Sequence, residues 1–219
     1  MILLAVDTSG KHGSIALARE RDGNLETLEV VPLEGGTFSA QLVPQIAALL
    51  TKHGLTKRDL DAFVVASGPG SFTGLRVGLA AIKGLAEVLQ KPIAAVSLLE
   101  VVARSAGSPG RVRAALDAGR GEVYVGEYDV TSTQGKCLRE ELIRLPDFGA
   151  GSMVITPDKN VAETLAARSV PVTAVPRPQA DALARIGWEK LAAGQTVSTL
   201  ELEANYIRRS DAEIFAKNV

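Results

Sequence analysis

Cysteine and histidine are scarce in this chain: one of the first and two of the second among 219 residues. A lone thiol cannot close a disulfide within the chain, and it fits a reducing compartment. Cys137 stands in the polar stretch TSTQGKCLREE with no histidine near it in sequence, so an inert thiol is expected and not a nucleophile. His12 falls in a polar turn and His53 at the end of a helical pattern, where structural roles are expected. HxxxH, CxxC and GxSxG are absent, which removes the commonest zinc, redox and acyl-transfer constellations.

Long apolar runs are missing as well. No stretch approaches the roughly 18 apolar residues of a membrane span. The opening MILLAVDTS is apolar for six residues without a basic leader, so a strand is expected there and not a signal peptide. With 24 basic against 25 acidic residues, the net charge of −1 gives no overall attraction to nucleic acid or to an anionic membrane. The 46% apolar and 22% charged composition is that of an ordinary globular protein, long enough for one large or two small domains. A cytoplasmic location is the expectation.

What the chain does have is a glycine-rich turn, ASGPGSFTGLRVGLA, from Ala66 to Ala80. Its spacing is GxGxxxG, neither the dinucleotide fingerprint nor a phosphate loop, because Gly74 is followed by Leu75 and Arg76. A phosphate cradle and a plain strand-to-helix turn both remain open. At about 100° per residue the helix after the turn sorts into three stripes. Leu75, Leu79, Ile82, Ala86 and Leu89 are bulky, and Arg76, Lys83, Glu87 and Gln90 are polar. Gly74, Gly78, Ala81, Leu85 and Val88 form a third, small apolar stripe. Two surfaces therefore need covering, and periodicity leaves open whether the second meets the same chain or another.

Strands are expected at Met1–Val6, Ser14–Ala18, Leu25–Val31, Ala62–Ala66 and Ile93–Val96, and helices at 38–53, at 74–90 and from Leu98 to Arg104. Pro44 inside the first helical pattern predicts a kink or a later start. Small turn residues at 107–110 place a boundary there. Just beyond, RAALDAGRGEVYVGEY repeats the pattern of LLAVDTSGKHGSIALA: an apolar strand, Asp117 or Asp7, a glycine turn and a second strand. The expectation is a duplicated α/β domain, with subdomains at 1–106 and 107–199 facing each other across a cleft. Residues 200–219 are expected as a tail with two aromatic anchors, Tyr206 and Phe215. Asp7, with Thr8 and Ser9, and Asp117 would face that cleft, either holding a hydrated magnesium ion or bonding backbone N–H groups in their own turns.

The segments DTS at 7–9, GPGSFTGLRVGLAAIKGLA from Gly68, KPIAAVSLLE from Lys91, LDAGRGEVY from Leu116 and YIRRSDAE from Tyr206 together resemble the TsaB (YeaZ) family. That resemblance implies an actin-like ATPase (ribonuclease H-like) fold. It also implies a noncatalytic subunit for threonylcarbamoyl transfer to N6 of adenosine 37 of tRNA. Implied partners are a TsaD-like metal-bearing paralogue reached through the 74–90 and 38–53 helices, a TsaE-type ATPase, and a second copy of the chain when alone. The tRNA is then the substrate of the complex, and metal and nucleotide belong to the partner subunits. Leu42, Ile46 and Leu49, with Gly74, Gly78, Ala81 and Leu85, are the interface residues this reading selects. Where the TsaD relative carries an HxxxH metal pair, this chain has Leu98 and Val102, with Glu100 between them. At 38–41 the sequence FSAQ departs from the histidine common in the family. A stand-alone ATPase or phosphotransferase of the same fold is the alternative.

Overall fold

The computed structural model describes residues 1–107, 109–131, 134–149 and 151–208. They form two compact units. The first contains Met1–Ser97 and Gln179–Ala204; the second contains Leu98–Pro178 together with residues 205–208.

The first unit is a five-stranded sheet in the order β3-β2-β1-β4-β5. Its strands are β1 (Ile2–Asp7), β2 (His12–Arg21), β3 (Asn24–Glu34), β4 (Ala62–Gly68) and β5 (Ile93–Ser97). β1 and β2 run antiparallel, as do β2 and β3, while β4 and β5 lie parallel to β1. Asp22 and Gly23, at φ 54° and 78°, turn β2 into β3 as a two-residue hairpin requires.

Alternation divides this sheet by size as well as by polarity. One face carries Leu4, Val6, Ile15, Leu17, Phe63 and Val65 in a cluster with α1 (Phe38–Lys52) and α2 (Phe72–Leu89). On the other face the register aligns Ala16, Ala5, Val64 and Ala94 in one row. There α5 (Ala180–Ala192) lies on the small side chains, so close that a Cβ on Gly187 would stand 2.3 Å from Val64 Cγ1. Ser14 Oγ, 2.9 Å from the Ala180 amide, receives the first free N–H of that helix.

The second unit repeats the plan: its order, read as β8-β7-β6-β9-β10, is the first sheet's β3-β2-β1-β4-β5 with each strand replaced by its later counterpart. The strands are β6 (Gly110–Gly119), β7 (Glu122–Val130), β8 (Gly135–Arg144), β9 (Val154–Thr156) and β10 (Val172–Ala174). One face packs Val112, Ala114, Leu116, Tyr124 and Tyr128 against Leu99, Val102 and Ala103 of α3 (Leu98–Arg104). The opposite face packs Ala115, Val123 and Val125 with Phe148 and with Val161 and Leu165 of α4 (Lys159–Ala167).

The units divide differently from the expected 1–106, 107–199 and 200–219. α3 goes with the second sheet because Leu99 seats against Gly126 of β7, and α5 goes back to the first through Gly187. Residues 200–204 complete the first unit, where Leu202 is buried in the core and Val197 bridges to Ile93 of β5. Tyr206 is 44% exposed, and its neighbour Ile207 packs on the second unit's core. Phe215 lies outside the described residues. Pro44 is accommodated within α1, which starts at Phe38 as one continuous helix.

Candidate functional site

In the first unit the functional candidates gather where β1 ends beneath the start of α2. Asp7, Thr8 and Ser9 are all buried. Asp7 Oδ1 accepts from the Ser9 amide at 2.9 Å and from Ser9 Oγ at 2.5 Å, the local turn role that aspartate commonly takes. Thr8 Oγ1 donates to the Gly74 carbonyl at 2.7 Å, and the Ser9 carbonyl accepts from the Ser71 amide at 2.6 Å. Ser71 in turn caps α2, its Oγ 3.3 Å from the Gly74 amide.

These bonds explain the glycines. A Cβ on Gly70 would lie 2.5 Å from the Ser9 carbonyl oxygen, one on Gly74 2.1 Å from that of Thr8, and one on Gly78 2.4 Å from Thr8 Oγ1. Only glycine lets helix and turn approach this closely. Gly74 and Gly78 are therefore occupied within the chain, and so is the part of the expected partner seam that they represent.

Leu42, Ile46 and Leu49 are likewise in the first unit's core. Ala81 and Leu85 are half-buried at its margin. The outward faces of the two helices are different residues. On α1 they are Ala40, Val43, Pro44, Ala47, Ala48 and Thr51; on α2 they are Thr73, Ala80, Gly84 and Val88, with Val77 half-buried beside them. Val43 is 59% exposed and Val88 74%. The two helices touch, so these small and aliphatic side chains share one side of the unit. Gly84 is set apart from the other glycines of α2, because beyond its chain neighbours and the helix's own backbone no atom lies within 4 Å of the Cβ it lacks. At the end of α1, Glu29 of β3 accepts from Lys52 Nζ at 2.7 Å and pairs with His53 Nε2 at 2.8 Å. The bond from Lys52 and then that from His53 hold its carboxyl below the usual range.

In the second unit Asp117 sits exposed at the end of β6 and repeats the first turn's chemistry. Its Oδ1 accepts from the Gly119 amide at 2.7 Å, two residues on, as Asp7 accepts from Ser9. Its own amide donates to Asp158 Oδ2 at 2.8 Å, and Arg177 pairs with the other oxygen of Asp158. The neighbouring Tyr124 phenol is pushed up, chiefly by burial.

At the two positions that the resemblance matches to a metal pair in a catalytic relative, the side chains here are aliphatic. Val102 is buried among aliphatics on α3 and Leu98 packs at the edge of the same cluster. Glu100 is buried without any histidine beside it in the helix. Among the described residues no group of three or more His, Cys, Asp or Glu is disposed to hold a metal ion. Nor, among them, is any helix long and apolar enough to cross a membrane.

Two sheets of one strand order, each opening on an aspartate turn and covered by helices on both faces, define an actin-like α/β protein of two subdomains. A protein-family model described as "TsaD: tRNA N6-adenosine threonylcarbamoyltransferase" matches residues 30–214, and the chain belongs to this family, on its TsaB (YeaZ) side. The protein described as tRNA threonylcarbamoyladenosine biosynthesis protein TsaB in Bacillus subtilis is 39% identical over 129 residues, covering 58% of this chain and 55% of that one. Its Escherichia coli namesake is 37% identical over 131 residues with the same coverage. The chain thus spans about half the length of these relatives in the matched region. The solved structure of YeaZ from Pseudomonas aeruginosa, 28% identical, superposes with a TM-score of 0.76 over 93% of this chain and 100% of that one.

Proposed function

We propose that this chain is a noncatalytic subunit in the synthesis of threonylcarbamoyladenosine on tRNA, and that it works by docking a TsaD-like, metal-bearing paralogue on the outer faces of α1 and α2. The observation that carries this reading is Gly84. Glycine in a helix interior costs about 1 kcal/mol relative to alanine. Gly74 and Gly78 return that cost through contacts with Thr8, whereas Gly84 has open space where its Cβ would be. A residue that only lets something approach implies something that approaches, and Ala80 and Val88, a turn to either side of it, with Val43 and Ala47 exposed on the adjoining α1, supply an apolar lining.

The aliphatic pair Leu98 and Val102 supports the assignment of catalysis to the partner. In the same reading a TsaE-type ATPase joins the pair, the tRNA is the substrate of the whole assembly, metal and nucleotide are held by the partners, and the compartment is the cytoplasm. Alone, the chain pairs with a second copy through the same helices. The rival reading, an ATPase or phosphotransferase working through Asp7, gains nothing from the geometry, since Asp7 Oδ1 is engaged by Ser9 twice.

The test is reconstitution. Purified chain, TsaD-type and TsaE-type proteins are mixed with ATP, threonine, bicarbonate, an enzyme making the threonylcarbamoyl adenylate, and unmodified tRNA; modified adenosine is then quantified. Product that requires this chain, together with no ATP turnover by the chain alone, is the expected result. Full product without the chain, or Asp7-dependent ATP hydrolysis by the chain alone, overturns the reading.

A further inference from the structure

The turn that joins β6 to β7 asks much of its backbone. Gly119, Arg120 and Gly121 have φ of 73°, 58° and 75°, three successive residues in the left-handed region, and the middle one carries a side chain. The Asp117 carboxylate supports the turn through the Gly119 amide, and the Gly121 carbonyl accepts from the Leu145 amide at 2.8 Å.

The corresponding turn of the first unit is built otherwise. β6 and β7 stand in their sheet where β1 and β2 stand in theirs, and α4 comes after β9 as α2 comes after β4. In the first unit the helix clasps the turn directly: Ser71 and Gly74 bond Ser9 and Thr8, and the glycines bring them within reach. α4 has no glycine, and the residue ahead of it reaches the turn through the bond between Asp158 and the Asp117 amide.

A residue far along the chain adds a second hold. Arg208 Nη1 donates to the Ala118 carbonyl at 2.9 Å, and Nη2 pairs with the Glu122 carboxylate. One planar guanidinium thus grips the turn on both its incoming and its outgoing side, a geometry that the single ammonium of lysine cannot reproduce. Its carbon centre lies 5.9 Å from the centroid of the Tyr124 ring. The segment that presents it is fixed in its own right: Asn205 Nδ2 donates to Glu140, whose other oxygen accepts from the Tyr128 hydroxyl, and Ile207 packs on the core.

We infer that residues 205–208 are a strap that sets the shape of the Asp117 turn, with Arg208 as the positioning residue that replaces, in the second unit, the helix clasp of the first. The Asp117 carboxylate is then presented in one fixed orientation only while the strap is seated.

Amide hydrogen exchange on the full chain tests this with Arg208→Ala, Arg208→Lys, Glu122→Ala and the double variant. Arg208→Ala is expected to speed exchange at residues 118–122 by about tenfold or more, the size of a lost charge-assisted bond, while Val125 and Tyr128 in β7 keep their protection. Arg208→Lys should recover only part of it. Glu122→Ala, which leaves the Ala118 bond in place, should have a smaller effect and add less than about twofold in the Arg208→Ala background, because both act through one guanidinium. Turn exchange unchanged within about twofold in Arg208→Ala overturns the proposal. So does loss of protection throughout β6, β7 and β8 together, or a chain that no longer folds, since Arg208 would then be a general core contributor. Full additivity with Glu122→Ala overturns it as well.

Discussion

Thr8 Oγ1 donates to the Gly74 carbonyl at 2.7 Å, and the same hydroxyl stands 2.4 Å from where a Cβ on Gly78 would be. One threonine therefore fixes two glycines a helical turn apart. Gly78→Ala should lose about 1–3 kcal/mol to overpacking against a gain of about 1 kcal/mol in helix propensity, for a net fall in stability. Thr8→Ser should not restore it, since serine keeps the obstructing oxygen, whereas Thr8→Ala should relieve part of it. Melting curves of the four chains decide the matter, and a Gly78→Ala chain more stable than the parent would contradict the packing.

Gly84 should behave in the opposite way. Alanine there meets open space and gains up to about 1 kcal/mol, a rise of about 2–4 °C in Tm at this size. Gly84→Arg should fold as well as the parent, yet lose self-association and binding of the TsaD-type partner. Sedimentation and partner titration on the same samples check this; a Gly84→Arg chain that still binds at full strength would remove α2 from the interface.

The Glu29 contacts give a pH dependence with a definite sign. Lys52 and His53 hold the folded-state value below the ordinary 4.5, so the stabilisation is fully present above pH 4.5 and is lost as pH falls below it through the folded-state value. Glu29→Gln removes it. Denaturant midpoints of the two proteins should differ at about pH 6 and converge as the pH falls below 4.5. A difference that stays constant throughout the acid range would assign the effect to something other than ionisation.

Cys137 is exposed on β8, but desolvation of its sulfur, and next the Glu140 charge, push the thiol above its usual 9.0. Alkylation by iodoacetamide should therefore be slow near neutral pH and rise with a midpoint above 9.0. A midpoint below about 8 would mark an activated thiolate and contradict the reading of this residue as inert.

The duplicated architecture was legible because each half opens on strand, aspartate, glycine and strand, a pattern that physical chemistry ties to one local shape. The face of α2 was harder to read. Gly74 and Gly78 suggest an outward seam because they are small, but smallness at a contact does not say which body is in contact. The actual outer stripe of Thr73, Ala80, Gly84 and Val88 is rotated by roughly 80° about the helix axis from the expected one. The missing signal was Thr8, 66 residues earlier than the carbonyl it bonds. The destination of α5 was equally hidden: the row Ala5, Ala16 and Ala94 is small, yet nothing local says that a helix beginning at Ala180 fills it. The role of Arg208 could not be read from YIRRSDAE either, because its partners Ala118 and Glu122 lie 90 and 86 residues away.

The return of α5 to the first sheet bears on the order in which the protein can take shape as it is made. The strands from Ile2 to Ser97 emerge from the ribosome early, but the face bearing Ala5, Ala16 and Val64 has no cover until residues 180–192 have been added. The second sheet, continuous from 110 to 174, has all its strands and both of its helices before α5 exists. The half that is translated first thus waits for the cover of its second face until the other half has all its strands, and through that interval its uncovered apolar face is the surface a nascent-chain chaperone would meet.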